Sequence, residues 1–453
     1  MKKLLIRLAI LGAVGVTAAV AGSFMIIKSR THDIDTSTQA TSPEQQQALI
    51  AQGEYIARLS DCAACHTVPG GTEYAGGLAM QTPFGAIYST NITPDKETGI
   101  GNYTLQEFAN AVKHGVRKDG APLYPAMPYA SYTIMPDSDM VAMYEYFMNA
   151  VPAVKQENAP TTFPAIMSMR WPVAYWQMLF APIREFKGNS ALSGIENHGA
   201  YIVEGPGHCG ACHTPRGIAY QEKALTNDSS DLFLSGALID GWRAKSLRGE
   251  GQGLKTWSED EIVEFLKTGR TDKVAAFGAM GDVVEHSSQY WTEQDLNAVA
   301  SYLKTLSPAP GKSLELKTQP DTTTDLLLTD TFRAPGAVLY MEHCTICHRV
   351  DGEGVPRIFP ALNQNTAITA QNAQSVIQIT LEGGVMPATP ADRMAFGMPS
   401  FAHLSDEEVA TVINFIRNSW NNVSPEVSPQ DVAEIRHFLA NKAPNISSVK
   451  EDK

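Results

Sequence analysis

The chain has 453 residues, of which 18% are charged and 43% are hydrophobic, a composition that allows buried cores and excludes a largely disordered protein. At roughly 100 to 200 residues per domain, this length accommodates three domains. The net charge of −13 at pH 7 disfavours nucleic acid as a partner and provides no electrostatic attraction to anionic lipid, so any membrane attachment must be apolar.

The first segment, residues 1–30, has the features of a signal peptide or a membrane anchor. Three basic residues precede an uncharged stretch at residues 8–27. Its length of roughly 20 residues is enough to cross the hydrocarbon of a bilayer, which favours an uncleaved anchor. The small residues at 19–21 offer a cleavage site as the alternative. Either form places the chain from Thr31 onward outside the cytoplasm, because the positive N-terminus stays inside.

The pentapeptide Cys-x-x-Cys-His occurs three times and contains all six cysteines. Two thiols at this spacing reach the two vinyl groups of a porphyrin as thioethers, and the histidine then lies beneath the iron as an axial ligand. A zinc site would require two nearby cysteine pairs or further histidines, and a thioredoxin-like motif would be single. We therefore predict three covalently bound haem c groups. The predicted attachment residues are Cys62, Cys65, Cys209, Cys212, Cys344 and Cys347, with His66, His213 and His348 as iron ligands.

Each motif lies in a repeated stretch that we call a frame. A lead-in helix that starts at a glycine runs into the cysteines, and a loop rich in Gly and Pro, a second amphipathic helix, a methionine and a closing helix come after them. This order predicts small all-helical domains, without strand alternation of useful length. The second helices are predicted at 105–116, 258–268 and 372–381, and the closing helices at 137–151, 292–306 and 405–419.

These patterns predict an all-α fold of three tandem class I cytochrome c domains, each around one covalent haem c, after the N-terminal signal or anchor helix. The aromatic connector after the first domain contains Arg170-Trp171-Pro172 and is too apolar for an exposed tether, so it is predicted to pack between the first two domains. A docking surface for a partner or a membrane is the alternative. The predicted segments are domain 1 at 45–155, connector at 156–190, domain 2 at 191–307, linker at 308–332, domain 3 at 333–422 and tail at 423–453.

The remaining iron ligand is predicted to be a methionine, since His/Met ligation is common in cytochromes c and raises the potential of the iron. Most methionines are core filler, but one occupies the equivalent position before each closing helix. The predicted ligands are Met127, Met280 and Met398. Met386 is the alternative to Met398 as the iron ligand of the third frame. His208 and His343, which directly precede cysteines, are predicted to be surface residues or contacts of haem propionates.

Polar groups in two of the loops have a similar order. Residues 91–104 and 241–258 carry Asn, Thr and Trp side chains within Gly-rich turns. Such groups are suitable donors to buried propionates. An explanation as turn residues alone remains open.

The sequence resembles the tri-haem cytochrome c subunits of bacterial membrane-bound dehydrogenases, a group that includes gluconate 2-dehydrogenase and quinoprotein alcohol dehydrogenase complexes. The resemblance rests on the three frames, on Asn91-Ile92-Thr93-Pro94, on Arg170-Trp171-Pro172 and on Met398-Pro399 with the closing helix after it. It implies a subunit on the periplasmic side of the inner membrane. Its electron donor would be a catalytic subunit that carries flavin or pyrroloquinoline quinone and oxidises a sugar acid, polyol or alcohol. The acceptor would be ubiquinone or a terminal oxidase.

We predict an electron carrier rather than a catalytic subunit. Histidine and methionine on both faces leave the iron no open position, and the sequence contains no dinucleotide-binding glycine motif that opens a βα unit. Two alternatives remain open. One is a haem enzyme of the peroxidase or nitrite-reductase type, which requires one open haem, and the other is a free periplasmic electron shuttle, which requires cleavage of the N-terminal segment.

Overall fold

The computed structural model describes residues 2–329 and 332–446. Residue 1, two residues of the predicted linker (330–331) and the end of the predicted tail (447–453) lie outside the described residues. In the described part, helices predominate and the strands form three short antiparallel hairpins. The predicted helical class is confirmed, and the hairpins are an addition that the sequence did not predict.

The helices follow the predicted order closely. In chain order they are α1 (Lys2–Arg30), α2 (Pro43–Leu59), α3 (Cys62–His66), α4 (Leu105–His114), α5 (Tyr129–Tyr132), α6 (Asp137–Asn149), α7 (Trp171–Phe180), α8 (Gly194–Glu204), α9 (Gly210–His213), α10 (Glu259–Thr268), α11 (Ala279–His286), α12 (Glu293–Thr305), α13 (Thr323–Leu328), α14 (Pro335–His343), α15 (Thr345–His348), α16 (Gln374–Glu382), α17 (Asp406–Arg417) and α18 (Pro429–Ala440), with a 3₁₀ turn at Ser288–Tyr290. The strands are β1 (Ala79–Thr82), β2 (Gly85–Tyr88), β3 (Ala237–Ile239), β4 (Trp242–Ala244), β5 (Gly384–Val385) and β6 (Gly397–Met398).

Side-chain caps mark the start of four of the six predicted second and closing helices, α4, α10, α12 and α17. Ser258 accepts a hydrogen bond from the backbone of Glu261, whose carboxylate accepts one from the backbone of Ser258 in return. The same reciprocal cap opens α4 and α17. Each such cap satisfies backbone N–H groups that the first helical turn leaves without partners. All six predicted second and closing helices form, with ends within two residues of those predicted, although α6 and α16 begin without a side-chain cap.

In each frame the lead-in helix packs against the closing helix: α2 against α6, α8 against α12, and α14 against α17. Three separate clusters of buried apolar side chains surround these pairs. Leu59, at the end of α2, packs into the cluster of the second frame, so the first two frames share a close contact.

The aromatic connector forms α7, which packs against the first frame and against α1. Gln177 is fully buried, and its side-chain amide donates a hydrogen bond to the backbone oxygen of Gly115 at 2.8 Å. Trp176 Nε1 donates to the oxygen of Ala219 in the second frame at 2.8 Å. The connector therefore touches both frames, as predicted from its apolar sequence, while one of its faces remains exposed.

The C-terminal segment reaches back to the first frame. After α18, the side chain of Asn445 accepts a hydrogen bond from the backbone of Ala79, and the backbone of Ile446 donates one to Gly77, both at 2.9 Å. Phe438 of α18 lies against Gly241 of the second frame. The segment thus joins the third frame to the first two.

Candidate haem sites

The three Cys-x-x-Cys-His motifs form three one-turn helices, α3, α9 and α15, at the ends of the lead-in segments. All six thiols are half-buried and none is in a disulfide. Burial raises the pKa of Cys62, Cys209 and Cys344 to about 12 in each case, so the unmodified thiols are neutral. Among the described residues no cluster of three or more His, Cys, Asp or Glu side chains is placed to hold a metal ion, which argues against the zinc alternative.

Each motif histidine is held by one backbone carbonyl. Nδ1 lies 2.6 Å from the oxygen of Thr90 for His66, 2.6 Å from that of Lys245 for His213 and 2.9 Å from that of Pro360 for His348. We assign the proton to Nδ1, because a carbonyl oxygen can only accept. This tautomer leaves the Nε2 lone pair of each ring available to a metal. Burial also lowers the pKa of all three rings, that of His213 to about 4, which keeps them neutral.

The motifs of the second and third frames face one continuous cavity of about 480 Å³. Apart from a few polar groups its walls are apolar, with Trp257 and Phe265 among them. This lining suits a flat apolar macrocycle better than a hydrated ion. The predicted site residues that line it are Cys209, Cys212, His213, Met280, Cys344, Cys347, His348 and Met398.

Two predicted haem-site residues of the first frame lie apart from this cavity, in the core of their own frame. Cys62 and Met127 are half-buried against the same apolar cluster, which is formed by α2, α4 and α6. The structure therefore brings a cysteine and the predicted methionine of this frame to one core. Their roles as attachment residue and iron ligand stay predictions.

Both candidate methionines of the third frame line the shared cavity. Gly384 of β5 pairs with Met398 of β6, and this hairpin places Met386 directly beyond β5. Met386 is buried, at 3% exposure. The sequence left open whether Met386 or Met398 binds the iron of the third frame, and the structure places the two methionines close together on the wall of the same cavity.

Two basic side chains, Arg243 and Lys245, line the cavity, where burial lowers the pKa of both and the buried carboxyl of Glu250 is close enough to oppose this shift. Lys245 Nζ donates to Thr366 Oγ1 at 3.0 Å and lies 4.7 Å from the ring centre of Trp257. Neither Lys245 nor Arg243 forms an ion pair with any residue that the structure describes. Burial lowers the pKa of Lys245 to about 7. A buried cation is stabilised by an anion, so these two side chains fit the propionates of a bound haem. The predicted donor loop at 241–258 supplies both, although the sequence pattern did not single them out.

The two histidines that precede cysteines also line this cavity. His208 packs edge-on against Tyr132 at 5.5 Å between ring centres, and His343 packs in the same way against Phe401 at 5.8 Å. Both are only partly exposed. Both therefore face the cavity, and contact with haem propionates stays a prediction.

The first attachment turn lies against the second frame. α3 contacts α11, and Ser287 Oγ donates to the backbone oxygen of Arg58 at 2.5 Å. Asp61, which directly precedes Cys62, lines the cavity of the second frame. Burial raises the pKa of Asp61 well above its usual value. The second site is therefore in contact with both of the others.

Comparison with known proteins agrees with this geometry. The cytochrome c family model matches residues 199–307 and 334–420, which contain the second and third motifs. The chain is 48% identical over 402 residues to the cytochrome c subunit of alcohol dehydrogenase (quinone) from Gluconacetobacter polyoxogenes, with 88% of this chain and 86% of the relative covered. The chain belongs to the family of dehydrogenase cytochrome c subunits. Its identity to the gluconate 2-dehydrogenase cytochrome c subunit of Pantoea cypripedii is 47% over 400 residues, covering 87% of this chain and 90% of that one.

A more distant member of the same family is the fructose dehydrogenase cytochrome subunit of Gluconobacter japonicus, 34% identical over 442 residues, with 92% of this chain and 89% of the relative covered. The resemblance to dehydrogenase cytochrome c subunits is confirmed by these relatives. Membership of the cytochrome c family implies covalent haem c at the Cys-x-x-Cys-His sites. The family model leaves the first motif unmatched. A haem group at Cys62, Cys65 and His66 therefore remains a prediction from the motif's sequence and from the hydrogen bond of its histidine.

Proposed function

We propose that this dehydrogenase cytochrome c subunit has three cytochrome c domains, binds three covalent haem c groups and acts as the electron-transfer subunit of a dehydrogenase complex. The observation that carries the proposal is the repeated histidine geometry: three motif rings, each with Nδ1 bonded to a backbone carbonyl and Nε2 available. When bound, haem supplies a one-electron change at iron. The chain would hold it through the six cysteines, His66, His213 and His348, with Met127, Met280 and Met398 as the opposite ligands.

The apolar cavity would shield the second and third groups from water. Burial keeps His213 and His348 neutral, and neutral imidazole is the form that binds iron. Arg243 and Lys245 would neutralise propionate charge there. Together these side chains would fix the position and the midpoint potential of each haem. With both axial positions of the iron filled, no site would remain there for an organic substrate.

The relatives support the choice of partner. We propose as electron donor a periplasmic catalytic subunit with flavin or pyrroloquinoline quinone that oxidises a sugar acid, polyol or alcohol, and as acceptor ubiquinone or another component of the respiratory chain. The chain itself would not be the catalytic subunit.

We propose a location on the periplasmic side of the inner membrane, with α1 as an uncleaved anchor. Among the described residues, α1 is the one helix long and apolar enough to cross a bilayer. Tyr175 donates a hydrogen bond to the backbone oxygen of Ala19 at 2.7 Å, a contact that would be lost if the chain were cleaved after Ala21. This contact favours the anchor over the free periplasmic shuttle.

The first test is isolation from membranes in mild detergent, with the cofactor of any co-purifying large subunit identified and the haem content per chain measured. Three haem groups per chain and a partner with flavin or pyrroloquinoline quinone are expected. Flavin would indicate a dehydrogenase of the gluconate type, and pyrroloquinoline quinone one of the alcohol type. Oxidation of gluconate or ethanol by the purified chain alone would contradict the proposal.

A second candidate function is a haem enzyme of the peroxidase or nitrite-reductase type. It is favoured only by the two competing methionines of the third frame, since an iron that neither one binds would be open. Carbon monoxide distinguishes the two functions, because it binds only to an open ferrous iron. An unchanged spectrum of the reduced protein after its addition is expected for the electron carrier.

A further inference from the structure

Exposed apolar side chains occur on α7, which packs against α1, and on two segments next to it. On α7, Met178 is 52% exposed and Leu179 65% exposed. The loop before α7 exposes Ile166, at 74%, and the loop that contacts Trp176 fully exposes Ile218. α7 itself contains no charged residue. Isolated exposed apolar residues are common on soluble proteins, but several of them on one uncharged helix and on the segments beside it indicate an interaction surface.

α1 and α7 are held together as one unit. A Cβ added at Gly22 would lie 2.4 Å from the hydroxyl of Tyr175, so the two helices touch there without room for a side chain. Further along, Ile27 packs on Ala174. The buried guanidinium of Arg30 donates to the backbone oxygens of His114, Gln177 and Ala181 at 3.2, 3.3 and 2.9 Å. The end of α1 therefore cannot move away from α7 without loss of these hydrogen bonds.

This contact sets the depth of α7 when α1 crosses a bilayer. The uncharged residues 8–27 match the roughly 30 Å thickness of the hydrocarbon. Tyr175 reaches Ala19, which is eight residues before Ile27, or about 12 Å along the helix axis. The contact point would thus lie inside the hydrocarbon. The part of α7 around Tyr175 would therefore lie in the hydrocarbon, while its C-terminal end, which Arg30 binds at Gln177 and Ala181, would lie nearer the membrane surface.

We propose that α7, together with the loops that carry Ile166 and Ile218, forms a membrane-inserted platform whose exposed side chains contact lipid acyl chains. The inference rests on the proposed anchor and adds a second lipid contact to it. The platform would fix how the three haem sites are oriented relative to the bilayer, since α7 contacts the first two frames directly.

Single introduced cysteines test the proposal, because all six natural cysteines are expected to be consumed by haem attachment. The full haem-loaded chain, as Leu179→Cys, Val14→Cys or Leu314→Cys, would be placed in phosphatidylcholine vesicles at less than one chain per vesicle. Its reaction with a membrane-impermeant charged maleimide is then measured. Leu314, 52% exposed in the segment between the second and third frames, reports a surface in water and corrects for orientation. Val14, in the middle of the uncharged part of α1, reports whether that helix crosses the bilayer.

Thiols in lipid do not form the reactive thiolate, so Val14→Cys and Leu179→Cys should both react at least about tenfold more slowly than Leu314→Cys. Met178→Cys gives a second reading of the same face if Leu179→Cys fails to fold. Rapid reaction at positions 178 and 179 with Val14→Cys still protected would overturn the platform and leave the anchor intact. Rapid reaction of Val14→Cys would instead disprove the anchor.

Discussion

The α-carbon of Gly199 approaches the carbonyl oxygen of Ala298 so closely that a Cβ added to Gly199 would lie 1.9 Å from that oxygen. The same contact occurs between Gly53 and Ala142, at 2.0 Å. Gly336 occupies the equivalent position in the third frame, where its neighbours are slightly more distant. The glycine that starts each lead-in sequence is therefore the point where the two main helices of the frame cross.

Gly199→Ala is expected to destabilise the second frame by roughly 1–3 kcal/mol, because the added methyl group must push α8 away from the backbone of α12. Urea unfolding of the haem-loaded protein, followed by circular dichroism in the haem region, would measure the loss. Gly194→Ala is the matched control in the same helix, since nothing lies within 4 Å of its added Cβ. Equal stability of the two variants would contradict the role given to this crossing.

Local patterns made the helices predictable. A capping Ser or Thr followed three residues later by Glu marks a helix start from side chains a few residues apart, as at Ser258 and Glu261. The hairpins are different, because strands of two to four residues carry too little alternation to be recognised. The pairing of Ala79 with Asn445, 366 residues away, depends on tertiary contact that no local pattern encodes.

The haem-site residues likewise fall into two groups, those that the sequence predicts and those that only the fold shows. The pentapeptide identifies cysteines and histidines because their chemistry requires that spacing. The groups that orient the histidines are backbone oxygens 12 to 32 residues further along the chain, and any residue type supplies such an oxygen. Arg243 and Lys245 could be placed in a donor loop from sequence, but only the fold shows that they face the cavity and form no ion pair with a described residue.

Met398→Ala is expected to lower the midpoint potential of one haem, on the order of 100 mV, because loss of the thioether removes a ligand that favours ferrous iron. Covalent attachment should remain intact. A spectroelectrochemical titration of the reduced and oxidised protein would show the shift, and the variant should then also bind carbon monoxide.

Met386→Ala is the matched control, since this methionine lines the same cavity directly after β5, the strand that pairs with Met398. It should leave the three potentials close to those of the unmodified protein. The reverse outcome, with the potential sensitive to Met386 and insensitive to Met398, would transfer the ligand role to Met386.

The second frame is expected to lose stability as the pH rises above the pKa of an ordinary glutamate. Burial raises the pKa of Glu204 to about 7, although the hydroxyl of Tyr302 donates a hydrogen bond to its carboxyl at 3.0 Å. A carboxyl whose pKa is higher in the folded than in the unfolded state holds its proton more tightly when folded. Stability therefore falls from about pH 4.5 to about pH 7.

Glu204→Gln should reduce this dependence, because the amide keeps an oxygen for Tyr302 and carries no charge. Asp240 and Asp282, whose pKa burial raises to about 6, would retain their own contributions. At pH 8 we expect the free energy of unfolding to rise by roughly 1–3 kcal/mol, and at pH 5 by much less. Urea unfolding at the two pH values measures both. Glu285→Gln, at an exposed position of the same frame, is the control. A gain that is independent of pH would contradict the assignment.

Lys245→Met is expected to lower the midpoint potential of a haem beside the shared cavity, because a nearby positive charge favours the reduced iron. Redox titration of the haem-loaded protein measures the shift, and haem content should be unchanged. Lys245→Arg should restore most of the potential, since it returns the charge to the same place. Lys255→Met removes an exposed cation of the same frame and should have little effect, because water and salt screen it. Unchanged potentials in Lys245→Met would show that other groups neutralise the propionates.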